Sequence, residues 1–148
     1  MKNRLISLLL FLTGVLCISE AMATTPEQMV VAFQHDYKIW NDESFQNRRP
    51  DDVNAMKTAE QNYAALLKKY TQPDFHGEPV AYGSDASHDP AREKIIGKNI
   101  KQHEAVITTQ LSAEYYSPVY EYHFKQEKQK WYLTQIYLVD EDGKYPSL

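Results

Sequence analysis

The chain has 148 residues, with 16 basic and 20 acidic side chains, a net charge of −4 at neutral pH and a single cysteine. That balance disfavours nucleic acid, whose binding depends on cations set against phosphates, and is compatible with a basic protein partner. The length suits one domain with one packed core, and a lone cysteine excludes an internal disulfide framework.

The first residues, "MKNRLISLLLFLTGVLCISEAMA", read as an address. Lys2 and Arg4 form a basic n-region, Leu5 to Ile18 an apolar stretch, and Ala21-Met22-Ala23 a peptidase site. Residues 1–23 are therefore expected to be a signal peptide cleaved after Ala23, which leaves 24–148 as a single periplasmic or secreted domain. The apolar run is shorter than the roughly 20 residues of a spanning helix, so no stable membrane anchor is expected. Lipidation of Cys17 would need a small residue before it, and Leu16 stands there. Cleavage removes Cys17 together with Lys2, Arg4 and Glu20, so the mature chain carries 14 basic and 19 acidic residues, a net −5. Without a thiol, its stability must come from packing.

In "TTPEQMVVAFQHDYKIW", Thr25 is placed to cap a helix, Pro26 to occupy its first turn and Gln28 to complete a capping box. Met29, Val30, Phe33, Tyr37 and Trp40 then recur at steps of three and four, which makes one apolar face. The stretch "NDESFQNRRP" reads as a polar break before Pro50. A second helix is expected in "DDVNAMKTAEQNYAALLKKYTQ", acidic at its start and basic at its end, burying Val53, Met56, Ala59, Tyr63, Leu66, Leu67 and Tyr70 and stopping before Pro73.

From Asp74 to Pro90 the chain turns to Gly, Pro, Ser, Asp and His, with one short extended segment, "EPVAYG". This longest irregular region ranks high as a contact surface, because loops held on a scaffold often carry function. The rest reads as strands: "REKIIGKNIKQ", "EAVITTQLS", "PVYEYHFKQ" and "KWYLTQIYLVD". Their short connections imply antiparallel neighbours, and helices followed by a meander give an α+β domain.

Alternation in the third of these puts Tyr120, Tyr122 and Phe124 on an inner face and Glu121 and His123 on the other. With an even-numbered loop around Lys128, the inner residues would face Trp131, Leu133, Gln135 and Tyr137. The last strand is apolar on both faces and so needs cover on both, for which a homodimer through the sheet or a bound partner would serve.

Chemical signals are sparse. Asp36 with Tyr37, Tyr63 and Tyr122 is the best acid–base set that can be drawn, yet Asp36 lies off the apolar stripe and reads as a solvated helix-face charge. His76, Glu78, His88 and Asp89 crowd one loop without the spacing of a metal motif. Neither a G-x-S-x-G elbow nor a phosphate-cradling loop is present. No catalytic residue, cofactor or metal is expected.

The order of elements, with Asp89-Pro90 and Glu93 before the first long strand, Val106-Ile107-Thr108-Thr109 within the next, and a closing Trp131 strand that leads to Asp142-Gly143, resembles the NTF2-like superfamily. Within it the chain is similar to the NTF2-fold immunity proteins of bacterial polymorphic toxin systems. The resemblance implies N-terminal helices packed on a curved antiparallel sheet in a cone, no catalysis, and binding of a cognate protein toxin. Combined with the signal peptide, it implies neutralisation of a toxin in the periplasm. The expected contact residues are Asp85, His88, Asp89 and Glu93 from the exposed loop and Glu121 and His123 from the outer sheet face, although Asp89 and Glu93 also suit a bracing role. The alternative is a small-molecule binder or isomerase-type protein whose cone pocket is lined by Tyr37, Trp40, Tyr63, Tyr122 and Trp131.

Overall fold

The computed structural model describes residues 24–49 and 51–148, so the expected signal peptide and Cys17 lie outside the described residues. Two helices, α1 (Pro26–Asn47) and α2 (Ala55–Leu67), pack on a five-stranded antiparallel sheet, which makes the domain α+β. The strands are β1 (Glu93–Lys101), β2 (Glu104–Leu111), β3 (Val119–Glu127), β4 (Lys130–Val139) and β5 (Lys144–Pro146), neighbours in chain order. None of the described helices is long and apolar enough to cross a membrane.

The capping box at the start of α1 forms as its residues dictate. Thr25 Oγ1 accepts from Gln28 N at 3.3 Å, and Gln28 Oε1 accepts from Thr25 N at 3.0 Å, with Pro26 in the first turn. All five stripe residues are buried. The expected polar break after Trp40 does not end the helix, which continues to Asn47. Asn41 explains part of this: it is buried, and its side chain both donates to and accepts from the backbone of Gly83, at 2.9 and 3.0 Å. A polar residue there anchors the long loop rather than breaking the helix.

Helix α2 is shorter than its pattern. Asp52 Oδ1 accepts from Asn54 N, so the chain turns before the helix starts, and Val53 (89 % exposed) and Met56 (45 % exposed) fall outside the core they were expected to join. Ala59, Tyr63, Leu66, Leu67 and Tyr70 are buried as expected. The segment "EPVAYG" forms no strand, whereas β5 was not anticipated.

The sheet's inner face carries Ala105, Ile107, Thr109 and Leu111 from β2, Tyr120, Tyr122 and Phe124 from β3, and Leu133 and Ile136 from β4. The two-residue loop gives the expected even register near the turn, with Phe124 opposite Leu133. Beyond it a β-bulge between His123 and Phe124 shifts the pairing, so that Tyr122 faces Ile136 and Tyr120 faces Leu138. The expected partners Gln135 and Tyr137 stand instead beside His123 and Glu121. One extra residue moves every following side chain to the opposite face, which lets β4 place Leu133 and Ile136 in one core.

The far edge of β4 is covered rather than free. Leu133 N donates to Tyr70 O at 2.8 Å, Ser147 N to Ile136 O at 2.9 Å, and Leu148 N to Gln135 Oε1 at 3.0 Å. Leu148 is buried beside Gly77, where a Cβ would lie 2.7 Å from Leu67 Cδ1 and 3.1 Å from Leu148 O. At the opposite edge, β1 carries Lys94, Lys98 and Lys101 and an irregularity between Ile95 and Gly97, features that discourage pairing with another chain.

The β3–β4 turn places Lys128 (φ 48°) and Gln129 (φ 65°) in the left-handed region. This conformation suits the twist of a two-residue hairpin, but each side chain there costs about 1–2 kcal/mol. Replacing Gln129 by Gly is expected to raise the unfolding free energy by about 1 kcal/mol, read from the urea midpoint. An unchanged or lower midpoint would show that the turn is not strained.

Candidate functional site

The most unusual feature of the interior is a buried carboxylate. Glu93, the first residue of β1, is 2 % exposed. Its Oε1 accepts from Thr109 Oγ1 at 2.5 Å and from Tyr122 Oη at 2.8 Å, and its Oε2 lies 3.0 Å from His88 Nδ1. Tyr122 Oη, which gives its proton to Glu93, also lies 2.9 Å from His88 Nδ1, so the four side chains form one closed network. The four side chains come from the loop, β1, β2 and β3, so one group draws together the elements that shape this end of the sheet.

An ionised carboxylate in an apolar interior costs several kcal/mol unless paired and hydrogen-bonded. Burial pushes the Glu93 carboxyl up, but pairing with His88 and the hydroxyl donors Thr109 and Tyr122 outweighs it, leaving the group below its ordinary value of 4.5. Burial, and then the adjacent Glu93, holds the Tyr122 hydroxyl well above its ordinary 10.0, so it remains a donor. The His88 ring is enclosed by Tyr120 at 4.6 Å, Tyr37 at 4.8 Å and Phe33 at 5.7 Å between centroids. Gln34, 1 % exposed, closes the surround, and its amide nitrogen has no hydrogen-bond partner among the described residues.

The loop that carries His88 is held in turn by Asp89. Its Oδ1 accepts from Ala91 N at 2.8 Å, and its carbonyl accepts from Arg92 N and Glu93 N, so the chain turns directly into β1. Arg92 grips Asp85 through two nitrogens at 2.6 and 3.2 Å. Its carbonyl accepts from Ser112 N at 3.1 Å, which ties the β2–β3 loop to this turn.

The expected contact residues therefore divide. His88 (2 % exposed), Asp89 (7 %) and Glu93 offer no surface to a partner, because their polar atoms serve the turn and the buried network. Asp85 is exposed as expected. Glu121 and His123 lie together on the outer sheet face, with His123 Nε2 2.8 Å from Glu121 Oε2, Lys144 Nζ 2.7 Å from the same oxygen, and the Tyr137 ring 4.9 Å from that of His123. Glu121 is thereby neutralised within its own face.

Of the expected pocket residues, Tyr37, Trp40 and Tyr63 do line a recess, but its volume is only about 50 Å³. Tyr122 belongs to the Glu93 network instead, and Trp131 is half-buried at the periphery, opposite Gln126 near the hairpin turn. Asp36 is not set among tyrosines of a pocket. It accepts from Tyr70 Oη and Lys69 Nζ, both at 2.9 Å, on the helix flank. Among the described residues no group of three or more His, Cys, Asp or Glu side chains converges as metal ligands would.

No protein-family model, curated protein or solved structure matches the chain.

Sequence reasoning missed Thr109 and Tyr122 as partners of Glu93, and missed Tyr115 and Tyr116, which stand 89 % and 70 % exposed in the β2–β3 loop. The signal for the second pair was present: "SAEYYSP" sets two aromatics between turn residues, outside any alternating pattern.

Because the folded carboxyl of Glu93 lies below its unfolded value, the stability it contributes is present above about pH 4.5 and is lost as pH falls through the folded value. Glu93→Gln is expected to cost about 3–5 kcal/mol at neutral pH. The difference from the parent should narrow in acid unfolding below pH 4.5. The milder Tyr122→Phe removes one donor and is expected to cost about 1–3 kcal/mol by urea denaturation.

Proposed function

We propose that this chain is an exported binding protein of the NTF2-fold immunity type, which neutralises a cognate bacterial toxin in the periplasm by occluding it, without catalysing a reaction. The observation that carries this reading is the division between interior and surface. Both oxygens of the buried carboxylate are engaged by His88, Thr109 and Tyr122, and the recess at Tyr37, Trp40 and Tyr63, about 50 Å³, is far smaller than the roughly 300 Å³ typical of a substrate pocket. The surface, by contrast, presents Tyr115 and Tyr116 on a loop fixed at both ends, by Leu111 N to Pro118 O at 2.9 Å and by Ser112 N to Arg92 O. Exposed tyrosines on a rigid base lose little freedom on binding and supply large contact area, which is why such residues dominate protein interfaces.

Glu114 is exposed beside this pair, and Asp85 is exposed on the loop that Arg92 joins to it. Acidic groups around an aromatic anchor suit a basic partner surface, since they speed encounter and select against acidic partners. A helix-on-sheet cone, as the resemblance implies, would hold this end of the sheet open to a partner while the helices cover the other face.

The test is affinity purification of the tagged chain from a periplasmic extract, followed by measurement of the recovered partner's affinity. Tyr115→Ala/Tyr116→Ala is expected to weaken binding about a hundredfold while leaving the urea midpoint unchanged. Recovery of no protein partner, together with unaltered survival of a deletion strain against toxin-bearing siblings, would contradict the proposal.

A further inference from the structure

Between the end of α1 and the start of α2 lies an open groove of about 700 Å³. That volume falls within the roughly 300–1,000 Å³ of small-molecule sites. Its walls are Phe45, Arg48 and Arg49 from the end of α1, Asp52 and Met56 around the start of α2, and Tyr82 from the long loop. Met56, which its helical spacing assigned to the core, is 45 % exposed and stands in this wall. Phe45 and Tyr82 are half-buried, so each keeps part of its ring open to the groove.

The charge here is basic in a chain that is acidic overall. Arg48 is held in place: its Nη1 donates to Phe45 O at 2.8 Å, and its guanidinium carbon lies 3.3 Å from the centroid of the Phe45 ring. Its other N–H groups, and those of the Arg49 side chain, meet no acceptor among the described residues. Arg92, by contrast, is committed to Asp85 and Asp89. Asp52 is the sole carboxylate in the wall, and its Oδ1 accepts from Asn54 N at 2.9 Å. Tyr82 is fixed as well, packed edge-on against Trp40 at 6.3 Å and 87°, next to Gly83, whose N and O are both bonded to Asn41. A guanidinium oriented in advance, with free N–H groups beside apolar walls, is suited to a carboxylate carried on an apolar body. The walls contain no histidine and no pair of carboxylates, so the groove is equipped to hold a ligand rather than to convert one.

We propose that this groove binds an amphipathic carboxylate, with its head group on Arg48 and Arg49 and its apolar body against Phe45, Met56 and Tyr82. The carboxylate is supplied either by a free aryl or fatty acid or by the C-terminus of a partner chain that ends in an apolar residue. The site shares no residue with the tyrosine loop, and its existence does not depend on the toxin-binding reading.

The experiment labels the methionine methyl groups with carbon-13 and follows Met56 by NMR, with the buried Met29 as internal control. The protein is titrated at constant ionic strength with 4-phenylbutyrate or with 4-phenylbutan-1-ol, its uncharged analogue. A saturable shift of Met56 without a shift of Met29 is expected, with the acid bound about tenfold more tightly than the alcohol. Arg48→Gln/Arg49→Gln, at two exposed positions, is expected to weaken the acid about tenfold and to leave the alcohol unchanged. Saturation by a peptide ending in phenylalanine, but not by its C-terminal amide or by 4-phenylbutyrate, would also support the site and assign its ligand to a chain terminus. Equal affinity for the acid and the alcohol, an equal loss of both in the arginine variant, or no saturable Met56 shift with acid or peptide would overturn the proposal.

Discussion

A single ionised carboxylate in the core sets much of this molecule's architecture. Removing Glu93 from water is costly, and the cost is met only when His88, Thr109 and Tyr122 all reach it. Those partners lie on the loop, β2 and β3, so satisfying the charge fixes the loop against the sheet and fixes how β1 enters it. Hydrophobic burial stabilises the domain in bulk, but it is non-directional and would tolerate many arrangements of this loop. The carboxylate tolerates few. The Asp89 turn, the Arg92–Asp85 pair and the Ser112–Arg92 backbone bond then pass that order outward to the tyrosine loop.

Three groups of aromatic residues have different roles. Phe33, Tyr120 and Tyr122 enclose the His88–Glu93 pair and lower the local dielectric, which strengthens the interactions inside and penalises any loss of one. Tyr37, Trp40 and Tyr63 pack on one another in the core under α1 and α2. Tyr115 and Tyr116 project into solvent and contribute nothing to the core. A composition rich in tyrosine therefore does not point to one site, and only the position of each ring relative to the backbone assigns its work.

Much of the fold was legible in local pattern. Thr25, Pro26 and Gln28 announce α1 because a helix start is satisfied by residues within one turn of it, and the four long strands follow from apolar runs between polar connections. What escaped depends on distant partners. The end of α1 rests on Asn41 meeting Gly83, 42 residues away, and the inner face of β4 rests on a bulge that no alternation rule contains. Val53 keeps helical spacing yet stands outside the core, since the chain turns at Asp52 before the helix begins, and Met56, inside α2, is exposed as well. Glu93 and His88 were singled out as contact residues for their charge and their place in a polar loop. Their burial was not legible because Thr109 and Tyr122 lie 16 and 29 residues beyond Glu93, and only folding brings them near.

All of this depends on Glu93 being ionised inside the core and held there by its three partners. Carbon-detected NMR titration of the glutamate side-chain carboxyls in the folded protein tests it most directly. The Glu93 carboxyl is expected to titrate below its ordinary 4.5 despite burial. A midpoint above 4.5 would contradict it, since burial would then outweigh pairing and the group would sit in the core as a neutral acid.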